Sequence, residues 1–279
     1  MIAGLMSLGS ATVMRALGAR RPRLRIGGAD MVVNELGPPD GEPWVLLHGM
    51  GSTAVAWAPV ARRLRHDCRL LVPELSALGG SRPPGASLNV REGVEFVREL
   101  IGARFDGRRA TVAGISLGGW IATRLALAHP ELVERLLLVN CAGYRDQDWD
   151  RIESLVRIED LEGVDRLYGA LFHRTPLPMR LVRRGLLAAY RSRSVRHVID
   201  TLTIDDGFDG DDLRRLQLPV ELVWSDRDGL FELEVGRAMH AALPRAGLRI
   251  VPDCGHAIHW ERPGALLDAT LGFKSRIPG

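Results

Sequence analysis

Between residues 44 and 251 short apolar runs alternate with longer stretches patterned like helices, and nothing else in the chain constrains the fold as strongly. The runs are Trp44–Leu47, Leu70–Val72, Ala110–Ala113, Leu136–Val139, Val220–Trp224 and Leu248–Val251. A strand that is apolar at every position has to bury both faces, so these runs predict a mostly parallel sheet covered by helices on both sides. Leu24–Leu36, interrupted by Gly27 and Gly28, predicts an antiparallel hairpin ahead of them. At 279 residues and 46% hydrophobic, the chain can bury one large core, which excludes fibrous and unstructured classes.

The alternation lapses over 144–215, where the pattern is helical, polar and arginine-rich, and strands resume after Pro219. This predicts a core domain of residues 1–143 and 216–279 with a helical insertion of 144–215. Tyr168–His197 holds Arg174, Arg180, Arg183, Arg184, Arg191, Arg193 and Arg196 and no acidic residue, with Leu177, Leu181, Leu186 and Tyr190 as an apolar stripe. It reads as a solvated cap helix on the core, the alternative being a basic surface drawn to anionic lipid or an anionic substrate. The net charge is only +3 although 37 residues are basic, all but Lys274 arginine, and the arginines are spread along the chain, which argues against nucleic-acid binding.

Cys68, Cys141 and Cys254 are odd in number and widely spaced, so they form neither a disulfide framework nor a metal pattern and suit a reducing, cytoplasmic setting. Within 1–22, Ile2, Leu5, Met6, Val13 and Leu17 share one face at helical spacing, predicting an amphipathic helix. The apolar stretch is about half the roughly 20 residues of a membrane span, and Arg15, Arg20 and Arg21 follow it, the reverse of a secretory signal. Packing on its own domain is the expectation for this helix, and peripheral contact with a membrane surface is the alternative.

The chemistry centres on Gly114-Ile115-Ser116-Leu117-Gly118, set between the run ending at Ala113 and a helical pattern over Leu117–His129. A sharp strand-to-helix turn exposes a serine Oγ and needs glycines two residues to either side. Phosphate binding and close backbone packing are other uses of such a turn, and the first is disfavoured because no lysine follows. Three further elements supply what an acyl-transfer serine requires. His48-Gly49-Met50-Gly51 follows the first central strand, so the Met50 N–H could face the same space as that of Leu117 and the two could hold an oxyanion; His48 itself reads as structural. Gly255-His256 follows the last strand at the carboxyl edge of the sheet, the place for a base, with His259 close by but lacking the glycine turn. Ser225-Asp226-Arg227-Asp228 follows the preceding strand; Asp228 lies deeper in the loop, where a carboxylate can turn toward the histidine, and Asp226 suits fixing the turn or pairing an arginine.

In this order the motifs H-G-M-G at 48–51, G-I-S-L-G-G at 114–119, S-D-R-D at 225–228 and G-H-A-I-H-W-E-R-P at 255–263 resemble the α/β-hydrolase fold superfamily over nearly the whole chain. The resemblance implies an α/β fold with an eight-stranded, mostly parallel sheet flanked by helices and a helical cap inserted after strand 6. It implies Ser116 as nucleophile, His256 as base, Asp228 as orienting acid and the N–H groups of Met50 and Leu117 as oxyanion hole, with no cofactor and no metal. Gly49, Leu78 and Trp120 are the candidate substrate-binding positions. The stretch Val72–Ser81 departs from the family's P-D-L-x-G-x-G-x-S loop: Glu74 stands for the usual aspartate, and Ala77 and Leu78 for Gly and His. The expected activity is a serine hydrolase of the carboxylesterase or lipase kind acting on a small-molecule ester. Hydrolysis of a thioester or of a C–C bond in a meta-cleavage product by the same triad, and a non-catalytic binding protein, are the alternatives.

Overall fold

The computed structural model describes residues 2–276. In chain order the first half comprises α1 (Ile2–Ala16), β1 (Arg23–Ile26), β2 (Ala29–Leu36), β3 (Glu42–Leu47), α2 (Ala58–Leu64), β4 (Cys68–Pro73), α3 (Val90–Arg104), β5 (Ala110–Ile115), α4 (Leu117–Ala128) and β6 (Val133–Val139). Six helices follow: α5 (Trp149–Val156), α6 (Leu161–Leu171), α7 (Leu177–Leu181), α8 (Arg183–Tyr190), α9 (Arg193–Thr201) and α10 (Gly210–Arg214). The chain then returns to the sheet with β7 (Val220–Ser225), α11 (Leu233–Ala242), β8 (Ala246–Val251), α12 (Ile258–Glu261) and α13 (Pro263–Ser275). One eight-stranded sheet results, in the order β1-β2-β4-β3-β5-β6-β7-β8. β1–β2 and β2–β4 pair antiparallel and every other neighbour is parallel, so the carboxyl ends of β3 and β5 to β8 share one edge.

The side-chain period of two explains the unbroken apolar runs. In β3, Val45 and Leu47 enter the core beneath α3, α4 and the inserted helices, while Trp44 and Leu46 enter a second core with α2 and α13. β5 divides in the same way: Val112 faces the first core, and Ala113 and Ile115 the second. The strand runs two residues past the predicted end at Ala113, because Gly114 and Ile115 still pair with Leu138 and Val139 of β6. α3 begins where Asn89 and Glu92 exchange hydrogen bonds in a capping box, a device that contributes about 1 kcal/mol.

Two expectations from the sequence need correction. The arginine-rich segment 168–197 runs through four helices, not one; the break between α6 and α7 falls at Pro176, which lacks an amide donor and has a fixed φ, so that it suits a helix start and not a helix interior. The N-terminal helix ends at Ala16, and its buried face is turned away from the predicted one. Ser10, Ala11 and Met14 are buried, Met6 and Leu17 are half-buried, and Leu5 and Val13 face solvent; the Ile2 side chain lies outside the described residues.

A buried carboxylate accounts for that rotation. Glu74, wholly enclosed at the end of β4, accepts a hydrogen bond from the Ser10 hydroxyl on one oxygen and from the Ala54 N–H, at 3.0 Å, on the other. The Arg21 guanidinium stands 3.5 Å away, its own side chain nearly buried and bonded to Asn34 Oδ1 and the Gly79 carbonyl. An unpaired buried charge is costly, so α1 docks by the face that carries its serine and not by its most apolar face. Glu74→Ala would strand Arg21, and a loss of about 3 kcal/mol in urea unfolding is expected; a change below about 0.5 kcal/mol, the range of ordinary surface substitutions, would mean that Asn34 and Gly79 suffice for the guanidinium.

Candidate active site

Ser116 joins β5 directly to α4 with φ 53° and ψ −117°, a conformation that costs of order 1–3 kcal/mol for a residue with a Cβ. Packing holds it there. A Cβ on Gly118 would lie 2.7 Å from the carbonyl carbon of Leu47 at the end of β3, and one on Gly114 would collide with the backbone of Gly118 and Gly119. The Ser116 N–H donates to the Val139 carbonyl of β6 at 3.0 Å, and its carbonyl accepts from Trp120 and Ala142. Its side chain does not cap α4, and the residue keeps access to solvent on the carboxyl edge of the sheet.

The turn after β3 lies against the serine. A Cβ on Gly49 would approach the Ser116 Cβ to 3.3 Å, so glycine there keeps the space around the serine open. The turn is closed by Ser52 N–H donating to the Gly49 carbonyl, and among the described residues neither the Met50 nor the Leu117 N–H donates to a protein acceptor. Leu117 is in the first turn of α4, where helix N–H groups have no intrahelical partner and the dipole favours negative charge. His48 is structural in its contacts. Its Nε2 accepts from the Leu75 N–H at 3.0 Å, so Nδ1 carries the proton and donates to the Gly49 carbonyl at 2.9 Å. Burial pushes its pKa down, which keeps the ring neutral against the opposing pull of Glu74.

Asp228 and His256 meet at the same edge. His256 Nδ1 lies 2.8 Å from Asp228 Oδ2, and Oδ1 accepts the N–H groups of Leu230 and Phe231 at 2.8 and 2.9 Å. Both side chains are buried, and the Phe231 ring stands edge-on to the imidazole at 5.3 Å. With Nδ1 bonded to a carboxylate, Nε2 is the nitrogen free to exchange a proton. Asp226 instead accepts from the Cys254 N–H at 3.3 Å and lies near the Arg227 guanidinium, the turn-fixing and arginine-pairing roles considered for it.

Two supporting residues escaped the sequence reading. Asn140, at the end of β6 with φ 42°, donates from Nδ2 to the His256 carbonyl at 2.8 Å and to the Ser225 hydroxyl, while its Oδ1 accepts the Ser225 N–H. One amide therefore joins the strand before Asp228 to the loop of His256. Glu261 accepts from the N–H groups of Gly255, His173 and Arg174, fastening the histidine loop to the end of α6. The only available signals were an asparagine where a strand leaves the sheet and a glutamate five residues after His256. Among the candidate substrate positions, Gly49 borders Ser116, whereas Leu78 and Trp120 are fully buried in the first core. The Trp120 indole donates to the Asp206 carbonyl at 2.7 Å and packs on Trp149, which ties α4 to the inserted helices.

His259 is not part of the Asp228 pairing. Its Nδ1 is enclosed without a partner, and burial first, then the imidazoles of His256 and His48, push its pKa down to about 3. The unfolded ring titrates near 6.5, so between these values the unfolded chain binds more protons and stability falls with pH. From pH 7.5 to 5 the protein should lose roughly 2 kcal/mol through this ring that His259→Gln does not lose. Urea unfolding of both proteins at both pH values checks this; equal losses would mean that the native ring takes up a proton.

Comparison with known proteins agrees with this architecture. A family model described as an alpha/beta hydrolase family matches residues 44–269. Lipase 1 of Psychrobacter immobilis is 25% identical over 261 residues, covering 89% of this chain and 81% of that protein. The 2-hydroxy-6-oxo-6-(2'-aminophenyl)hexa-2,4-dienoic acid hydrolase of Metapseudomonas resinovorans is 23% identical, covering 90% and 89%. The crystal structure of a membrane phospholipase A, described as a bacterial virulence factor, superposes with a TM-score of 0.81 at 25% identity over 98% of this chain and 91% of that one. The chain belongs to the alpha/beta hydrolase family.

Proposed function

We propose that the protein is a serine hydrolase that cleaves a carboxylic ester through an acyl-enzyme. The observation that carries this reading is the strained Ser116 packed against the Gly49 turn, with the N–H groups of Met50 and Leu117 finding no protein acceptor among the described residues. The Asp228–His256 pair on the same edge supplies the base. Ser116 Oγ adds to the ester carbonyl as His256 Nε2 takes its proton, and the oxyanion accepts from Met50 and Leu117. His256 returns the proton to the leaving alkoxide, which departs as the alcohol. A water then gives a proton to Nε2 and its oxygen to the acyl carbon, and collapse with return of that proton to Ser116 releases the carboxylic acid. Asp228 holds the imidazole in one tautomer and stabilises it when charged.

Similarity to lipase 1 and to the membrane phospholipase A supports an ester of a lipid-like acyl chain. The similarity to the dienoic acid hydrolase favours a second reading, in which the same residues hydrolyse a C–C bond. Gly51-Ser52-Thr53 replaces the Gly-Pro-Gly type sequence common after the oxyanion turn of such enzymes, which weighs against it.

With p-nitrophenyl esters of graded chain length the protein should show a burst of one p-nitrophenol per chain. Ser116→Ala should lower kcat by on the order of 10⁶ and Asp228→Asn by about 10⁴. A fluorophosphonate should label Ser116. Substantial turnover in the alanine variant would overturn the nucleophile assignment, and a ring-cleavage diketone turned over faster than every ester would favour the C–C reading.

A further inference from the structure

Six of the nine large apolar side chains exposed among the described residues lie on α1 and on α7 with the residue after it. Leu5, Leu8 and Val13 stand out from α1, with Leu5 and Leu8 64% and 66% exposed. Leu177, Leu181 and Val182 stand out from α7 and the residue after it, Leu181 at 87% and Leu177 at 74%. α1 packs against α8, and α7 leads into α8 through Val182, so one helix links the two groups. The outer face of α1 is unusual for a solvated helix. From Gly4 to Met14 it has no charged residue, its exposed positions being Gly4, Leu5, Leu8, Gly9, Thr12 and Val13, and the first charge is Arg15. A helix face in water is ordinarily charged and polar opposite its buried stripe.

The unpaired charges bordering this region have one sign. Arg180 and Arg184 flank Leu181, are exposed, and pair with no carboxylate among the described residues; Arg15 at the end of α1 is also exposed and unpaired. Arg183, by contrast, is held by Asp165 within the inserted helices. Most other arginines of that segment have partners too, Arg196 on Glu159 and Arg193 on the Pro84 carbonyl. Leucines projecting between free guanidinium groups match a surface with apolar chains below and anionic phosphates above, and a second protein would have to supply acids and a greasy groove together.

We propose that the outer face of α1 and the α7 turn form a lipid-contact surface, with Leu5, Leu8, Leu177 and Leu181 entering the acyl region of an anionic bilayer and Arg15, Arg180 and Arg184 meeting the phosphates. No described helix is long and apolar enough to cross a membrane, so the contact is peripheral. The inference does not rest on the ester chemistry, and its test needs none: full-length Ser116→Ala protein, unable to degrade lipid by the proposed route, serves as the parent. Co-sedimentation is measured with vesicles of phosphatidylcholine alone and with vesicles that also contain phosphatidylglycerol, near whose anionic surface each basic residue adds about fivefold to partitioning. The parent should bind the anionic vesicles at least tenfold more tightly, and the preference should shrink in 0.5 M salt, about three times the physiological ionic strength. Arg180→Gln/Arg184→Gln should weaken binding roughly twentyfold or more, and Leu8→Asp/Leu181→Asp should abolish it. Thermal unfolding followed by circular dichroism verifies that each variant folds. Equal binding to both vesicle types, retention of binding in the leucine variant, or a concentration-dependent oligomer that the leucine variant dissolves while vesicles bind nothing would each overturn the proposal.

Discussion

The site depends on how closely the first turn of α4 can approach the strands beneath it. Gly118 brings that turn within contact of the Leu47 carbonyl of β3, and Gly114 admits the Gly118 and Gly119 backbone against β5. No side chain fits either gap. With the two backbones that close, the residue between strand and helix has no room for an ordinary turn, which places Ser116 at φ 53°. The same approach brings the first turn of α4 against the carbonyls of Leu47 and His48, so one packing contact sets both Ser116 and the Leu117 N–H, one of the two proposed oxyanion donors, beside the turn after β3. Strain there is sustained by the sheet, because the Ser116 N–H is fixed to Val139 and its carbonyl to Ala142.

The reach of the sequence reading follows from which interactions are periodic or local. Strands buried on both faces leave an unbroken apolar run, so five of the six predicted strands were legible in this way and only their ends moved, as at Gly114-Ile115; β8, at the sheet edge, carries Arg249 and is largely half-buried. The positions of Ser116, Asp228 and His256 at one sheet edge were legible because each follows a strand in a short turn with its own glycine or acid signature. Asn140 and Glu261 were not, since a side chain that binds backbone atoms more than a hundred residues away, or the amides of another element, has no pattern in its own neighbourhood. Leu78 and Trp120 show the converse: proximity in sequence to a site motif does not keep a large apolar side chain out of the core.

The N-terminal helix failed for a more instructive reason. Hydrophobic periodicity assumes that the most apolar face is the one that docks, and here the chain docks by Ser10 instead. A carboxylate with no water around it needs donors, and Glu74 takes them from Ser10, Ala54 and the nearby Arg21. Glutamate in place of the family's aspartate extends that carboxylate over Gly79, whose missing Cβ would stand 2.6 Å from Glu74 Cγ. The loop substitution noticed in the sequence and the rotated helix are thus two ends of one polar cluster, which leaves the leucines of α1 on the outside.

The inserted helices divide into parts that are tied to the site and a part that is not. α5 holds the loop of Asp228 through Arg151, which donates to the carbonyls of Gly229 and Leu230. The end of α6 holds the loop of His256 through Glu261 and through the Ala257 N–H on the Leu171 carbonyl. α8 reaches the oxyanion turn where Tyr190 packs against Gly51. α7, in contrast, is held within the insertion, by the Tyr168 hydroxyl on the Met179 carbonyl and by Arg183 of the adjoining helix on Leu161 and Asp165. α5, α6 and α8 thus touch the loops of Asp228 and His256 and the turn of Gly51 directly, whereas α7 reaches them only through α6 and α8.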